Sequence, residues 1–260
     1  MINVGLLGCG RLGRIVAKGL HEGAVDNCRL VGVCGRTMER SQTIAEACEC
    51  TACRDVQQLL SLSPQYIIDA STEDALAAHA VEILSAGCHL ICLSSSAFQD
   101  PVFSEAVRQA ALEHGTQVHL VPGAIGGFDF LTAARLMGPV QVSLTQRKYP
   151  PESDKCPPGF KRLPAVYRAN AKEAVANYPE RLNIAAALGV ACQDWEGVEV
   201  RLEPIPDDEA MSFQVDLQGK FGIARFYMQQ GTPECPVNGP DIAAWSTLAA
   251  LQRLTAPITF

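Results

Sequence analysis

The sequence predicts an α/β protein, with a doubly wound parallel sheet in its first half and a smaller α+β domain after it. Three observations predict this. From Ile2 to Gly123, apolar runs alternate with amphipathic stretches of about a dozen residues. Those runs lack polar alternation, as strands do when both faces of their sheet are covered. Beyond Gly123 the apolar runs alternate with polar residues instead, which marks strands with one wet face.

In chain order, "INVGLL" reads as a strand, "RLGRIVAKGLHEG" as a helix, "CRLVGVCG" as a strand and "MERSQTIAEACE" as a helix. A short helix "DVQQLLSL" precedes the strand "YIIDAS", the helix "EDALAAHAVEILSAG" and the strand "CHLICLSS". "DPVFSEAVRQAALEHG" and "TQVHLVPG" repeat the unit once more. A helix from Gly127 to Met137 then leads to the alternating strand "VQVSLTQRK". The proline-rich "YPPESDKCPPGFKRLP" is a surface loop and the candidate lid. A helical stretch, "NAKEAVANYPERLNIAAALGVAC", precedes strands near Val198–Glu203, Ser212–Gln218 and Ile223–Met228. These strands are expected to form an antiparallel sheet. The last helix, "DIAAWSTLAALQRL", is expected to return to the first domain. The domains are therefore drawn as 1–122 with 240–260, and 123–239.

The chain of 260 residues is 48% hydrophobic and 19% charged, the balance of an ordinary globular protein. A net charge of −7, with no stripe gathering the 21 Lys and Arg, argues against nucleic acid. No apolar run approaches the roughly 18 residues of a membrane span. The run "VGLLGCG" is short, broken by glycine and followed by arginines, unlike a secretion signal. A cytoplasmic protein is expected. Its 11 cysteines do not suggest a disulfide framework in a chain of this length. Cys48, Cys50 and Cys53 in "CECTAC" lack a second Cys or His pair at zinc spacing, so they read as buried thiols and no metal is expected.

Gly8, Gly10 and Gly13 have G-x-G-x-x-G spacing at the junction of the first strand and helix. The first glycine suits a tight turn, the second the approach of a pyrophosphate, and the third close helix–strand packing. The helix N-terminus favours the phosphate charge. In a βαβ unit this is the fingerprint of a Rossmann-type dinucleotide site, with Arg11 and Leu12 inside it. The second strand ends at Gly35-Arg36-Thr37, where an NAD site would carry Asp or Glu. Arg36 suits a 2′-phosphate, so NADP is expected over NAD, with Thr37 assisting.

Three segments together resemble the L-aspartate dehydrogenase family. "LVPGAIGGFDFLTAARL" is similar to its G-A-I-G-G/A-x-D segment, "TQRKYPP" to its T-x-R-K-P strand end, and "EAVANYPERLNIAAALGVA" to its E-A-x-x-x-F/Y-P-x-N-x-N-V-A-A stretch. The resemblance implies a Rossmann domain with a small α+β domain, a homodimer, and cofactor contacts at Ala124 and Asn183. Ile125 and Gly126 would then lie beside the substrate. The small residues 123–127 would admit nicotinamide and substrate against bare backbone. Arg147 and Lys148 could bind a carboxylate.

The sequence departs from the family at two places. Phe213 stands at its catalytic histidine position and Met211 at its asparagine. Asp241 stands for a lysine and Ile242 for a threonine. Phenylalanine cannot carry a proton, and a carboxylate at 241 would repel an acidic substrate. Lys148 is left as the candidate proton carrier. All five histidines (His21, His79, His89, His114, His119) lie in the first domain and read as structural or solvated. Three functions fit. One is an amino-acid dehydrogenase that moves hydride between an α-carbon and nicotinamide, with an amino acid and its keto acid as ligands. Another is an imine reductase with a different substrate, since a preformed imine needs less acid–base help. The third is a non-catalytic NADP-binding protein.

Overall fold

The computed structural model describes residues 1–149, 164, 166–178, 182–206, 209–231 and 241–259. The chain forms two compact units, Met1–Gly123 with Asp241–Phe260, and Ala124–Pro240.

The first unit runs β1 (Ile2–Leu7), α1 (Arg11–His21), β2 (Cys28–Cys34), α2 (Met38–Ala47), β3 (Thr51–Cys53), α3 (Val56–Ser61), β4 (Tyr66–Asp69), α4 (Glu73–Ser85), β5 (His89–Cys92), α5 (Pro101–His114) and β6 (Val118–Leu120). Its six strands are parallel, in the order β3-β2-β1-β4-β5-β6. The order reverses between β1 and β4, the place where doubly wound sheets bind ligands at their carboxyl ends. Local chemistry sets the helix starts. The Asp55, Thr72 and Asp100 side chains accept backbone N–H bonds at the starts of α3, α4 and α5. Pro101 takes the first turn of α5, and Gly115 ends it in the left-handed region at φ 65°. Central strands bury nearly every side chain, for instance Val4, Leu6, Ile67, Ile68, Leu90 and Ile91 at 0% exposure, as a sheet covered on both faces requires.

β3 is absent from the sequence reading, which took "CECTAC" only as a thiol cluster. Three residues are too short to show a period, yet Thr51–Cys53 pairs with Gly32–Cys34 at the sheet edge.

The second unit holds α6 (Phe128–Met137), β7 (Val140–Lys148), β8 (Tyr167–Asn170), α7 (Ala171–Asn177), α8 (Asn183–Cys192), β9 (Val198–Pro204), β10 (Ser212–Gly219) and β11 (Gly222–Gln229). Its sheet is β11-β10-β7-β9-β8. The expected antiparallel sheet is in fact mixed, because β7 and β9 pair in parallel. Parallel neighbours need a crossover, and α7 and α8 lie between those strands in sequence. The stretch expected to be helical starts at Asn170, the last residue of β8, and holds two helices; Asn170 caps α7 by accepting from Glu173 N at 2.9 Å. Apart from Tyr149 and Pro164, the candidate lid lies outside the described residues.

The chain returns to the first unit as α9 (Ile242–Thr255), which packs on α1. A Cβ at Gly19 would stand 2.5 Å from Leu248 Cδ1, so the two helices approach as closely as a glycine allows. Ala244, Leu248 and Leu251 join the core around β1, β2 and α1.

Candidate functional site

In the first unit, a cavity of about 450 Å³ opens at the carboxyl ends of β1, β2 and β4, a size that suits a small ligand or part of a cofactor. Gly8, Gly10, Gly35, Arg36, Arg40, Arg54, Ser71 and Thr72 are among its walls. The three motif glycines have different local reasons. Gly8 sits at φ 108°, and a Cβ there would collide with the Ala70 carbonyl. At Gly13 a Cβ would collide with the Gly8 carbonyl oxygen, so α1 and its turn touch backbone to backbone. At Gly10 a Cβ would meet nothing within 4 Å. Its missing side chain therefore serves no packing need in the chain and leaves open space at the N-terminus of α1, the cradle that a pyrophosphate requires.

Of the residues singled out in sequence, Gly8, Gly10 and Arg36 line the cavity, while Arg11, Leu12, Gly13 and Thr37 do not. Leu12 packs on the core. Thr37 starts α2 through its extended backbone, and its side chain makes no capping bond. Arg11 is ion-paired with Asp241, 230 residues away, and both are about half exposed. Asp241 is thus met by a cation and is no isolated negative charge.

Two cations that the sequence reading passed over complete the wall. Arg40 lies in the first turn of α2, and Arg54 directly follows β3. Recognising "TAC" as a strand beside β2 would have placed Arg54 near Arg36. Three arginines thus face one lining carboxylate, Asp55. That carboxylate is already engaged, accepting Gln58 N at 2.7 Å through Oδ1 and Arg54 Nε at 3.1 Å through Oδ2.

Asp69, at the end of β4, is fully buried. Its Oδ1 accepts the Ser71 amide at 3.0 Å and the Ser71 hydroxyl, and its Oδ2 accepts the Ser94 amide at 3.3 Å. Burial pushes this carboxyl up, against the bonds from Ser71 and Ser94. It ties the β4–α4 turn, which supplies Ser71 and Thr72 to the cavity, to the turn after β5. His79 also lines the cavity, with Nδ1 3.4 Å from Glu82 Oε2. The thiols that line the cavity or lie near it are inert in character. Burial raises Cys34 to about 11, with Cys53 and Cys9 adding to it, and Cys50 to about 12. Among the described residues, no group of three His, Cys, Asp or Glu could hold a metal.

In the second unit, Ala124 and Ile125 are 8% and 4% exposed and belong to its core. A larger side chain at Ala124 would therefore press on that core as well as on any ligand. At Gly127 a Cβ would stand 2.6 Å from the Phe226 ring at φ 89°, so this glycine is needed for backbone and packing reasons. A Cβ at Gly126 would meet nothing within 4 Å. Asn183 is the exposed first residue of α8.

Arg147 and Lys148, adjacent in β7, take opposite faces of the sheet. Arg147 lies 3.8 Å from Glu203 and 3.2 Å from Glu209. Lys148 instead shares the core-facing side with Phe213, its Nζ 5.7 Å from the ring centroid. The two cations therefore do not make a joint carboxylate clamp. Phe213 is only 5% exposed and packs in the core cluster.

The family profile described as the NAD-binding domain of homoserine dehydrogenase matches residues 8–121, and that of the aspartate dehydrogenase C-terminal domain matches residues 129–254. L-aspartate dehydrogenase of Methanothermobacter thermautotrophicus is 30% identical over 99% of this chain and 98% of its own. The Methanospirillum hungatei enzyme of the same name is 27% identical over the same shares. Among solved structures, aspartate dehydrogenase from Thermotoga maritima superposes with a TM-score of 0.74 at 20% identity, over 100% of this chain and 99% of that one.

Proposed function

The chain belongs to the aspartate dehydrogenase family, whose members are NAD(P)-dependent amino-acid dehydrogenases, and we propose that it prefers NADP(H) and acts on a substrate other than L-aspartate. The carrying observation is the cavity at the end of β2, which Arg36, Arg40 and Arg54 line and whose carboxylate, Asp55, already accepts from Gln58 N and Arg54 Nε. A 2′-phosphate offers these arginines charge-assisted hydrogen bonds, while Asp or Glu would be expected for NAD. The nicotinamide cofactor supplies hydride transfer when bound. The chain's own part is to hold it, with the open face of Gly10 and the N-terminus of α1 receiving the pyrophosphate.

In the second unit, the cation of Lys148 lies over the ring of the buried Phe213, which has no proton to give. A site with Phe213 there favours reduction of a preformed imine over the hydrolytic release of ammonia, which needs acid–base help. Imine reduction is thus a second reading of the same site. The test is NADPH oxidation against keto acids with ammonia and against cyclic imines, beside NADP⁺ reduction by L-aspartate. L-aspartate turning over faster than every other substrate would refute the substrate half of the proposal.

The cofactor half has its own test. Arg36→Ala should weaken NADPH binding by about 1–3 kcal/mol, the scale of a hydrogen bond to a charged group. NADH binding should barely change. Equal losses for both cofactors in a fluorescence titration would refute the assignment.

A further inference from the structure

At one end of the second sheet the core-facing side becomes polar. Along β7 the buried residues Val142, Leu144 and Gln146 share one face. Gln146 pairs with Phe213 on β10, and Phe213 pairs with Met228 on β11. Gln230 continues β11 by donating its backbone N–H to the Met211 carbonyl at 2.8 Å. Two residues on from Met228, it lies on the same face. Gln146 is thus the direct neighbour of Phe213 on one side, and Gln230 lies diagonally across from it on the other, beside Met211, roughly 12 Å from Gln146 by strand spacing and rise. Lys148, two residues after Gln146 on β7, has its Nζ 5.7 Å from the centroid of the Phe213 ring.

Both amides are buried, Gln146 at 1% and Gln230 at 8% exposure. Among the described residues, Gln146 Oε1 and both amide atoms of Gln230 have no hydrogen-bond partner. More than nine in ten buried polar groups find a partner, and one left alone costs stability. The side chains therefore have a cost that packing does not explain, since a methionine would fill the same space without one. Two acceptors and a donor stand ready beside an aromatic surface and a cation.

We propose that Gln146 and Gln230 recognise the side chain of the substrate, and that they select an amino acid, or its imine, with an uncharged carboxamide over a dicarboxylate. The assignment deepens the oxidoreductase reading above and rests on it. The decisive chemistry is the pair of unpartnered oxygens. A carboxamide brings N–H donors to them and an acceptor for Gln230 Nε2, whereas an ionised carboxylate brings acceptors only. A carboxylate would accept from Gln230 Nε2 but would leave both glutamine oxygens unpaired.

The test titrates L-asparagine and L-aspartate, isosteres that differ in one ionisable group, into the NADP⁺-loaded protein by calorimetry. It uses the native chain, Gln146→Met and Gln230→Met. The native protein should bind L-asparagine at least about tenfold more tightly than L-aspartate, the worth of one hydrogen bond. Each variant should lose about tenfold for L-asparagine and keep its NADPH affinity. Melting is the readout that a structural role would move the other way. Removing an unpartnered buried amide should raise the melting temperature by roughly 2–4 °C. A fall in melting temperature would show that the amides are satisfied within the chain, and would overturn the proposal. Equal binding of the two amino acids, or binding of neither to the NADP⁺-loaded protein, would also overturn it while leaving the cofactor reading intact. Failure of NADPH itself to bind would overturn both.

Discussion

Gly10→Ala and Gly13→Ala, three residues apart in one motif, should fail in opposite ways. At Gly13 the new methyl falls on the Gly8 carbonyl oxygen, and both sides of the clash are backbone. No rotamer relieves it, so α1 must move away from β1. Overpacking of this kind costs about 3 kcal/mol or more, and in a chain of this size each kcal/mol lowers the melting temperature by roughly 2–4 °C. Gly13→Ala should thus melt roughly 6–12 °C early. At Gly10 the methyl meets nothing. Alanine is a poorer residue than glycine at a helix start by about half a kcal/mol, and its smaller unfolded-state entropy offsets about the same amount. Gly10→Ala should therefore melt within about 2 °C of the native chain. Its methyl would nevertheless occupy the space over the α1 N-terminus. Displacing a phosphate from those amides loses about 1.5–3 kcal/mol, or roughly 10- to 150-fold in affinity. Thermal melting and NADPH fluorescence titration on both variants give the two readouts. Native-like NADPH binding by Gly10→Ala would refute the placement of the pyrophosphate. A Gly13→Ala melt within about 2 °C of native would refute the packing argument.

Two further predictions concern other parts of the chain. Phe213→His should raise L-aspartate oxidation by up to about 10²- to 10⁴-fold, the usual contribution of a general acid–base group, and no gain in steady-state rate would refute its role. Adding Asp241→Lys would set a cation against Arg11, which now pairs with Asp241; because both are exposed, the stability loss should stay below about 1 kcal/mol. The last prediction concerns pH. Burial, and then the neighbouring His89, hold the His119 imidazole below its ordinary value. The folded chain therefore binds fewer protons there than the unfolded one. The stability this contributes is present above the unfolded value of about 6.5 and is lost as pH falls through it toward the folded value. Melting curves of His119→Leu between about pH 7 and pH 5 should fall less steeply than native ones, and an unchanged slope would refute the assignment.

Much of the first unit was legible because its signals are local. The glycine spacing, the apolar strands and the capping residues Asp55, Thr72 and Asp100 each act within a few positions of chain. Phe213 was legible as a residue that cannot carry a proton, because that property belongs to the side chain alone. The split of Arg147 from Lys148 follows from the two-residue period of a strand once β7 is identified. The missed β3 and β8 have three and four residues, too few to show a period against noise.

The sequence by itself therefore determined the class of the fold, the position of the dinucleotide motif and the absence of a proton carrier at position 213. Each depends on residue identity or on spacing along a few turns of chain. Only the tertiary structure decided what surrounds these residues. It brought Arg54 beside Arg36 through the pairing of β3 with β2, and Arg11 to Asp241 across 230 residues. It set Gln146 beside Phe213 and Gln230 beside Met211 through the order β11-β10-β7. Strand order and register are set by the burial of the whole sheet against its helices, so no single segment carries them.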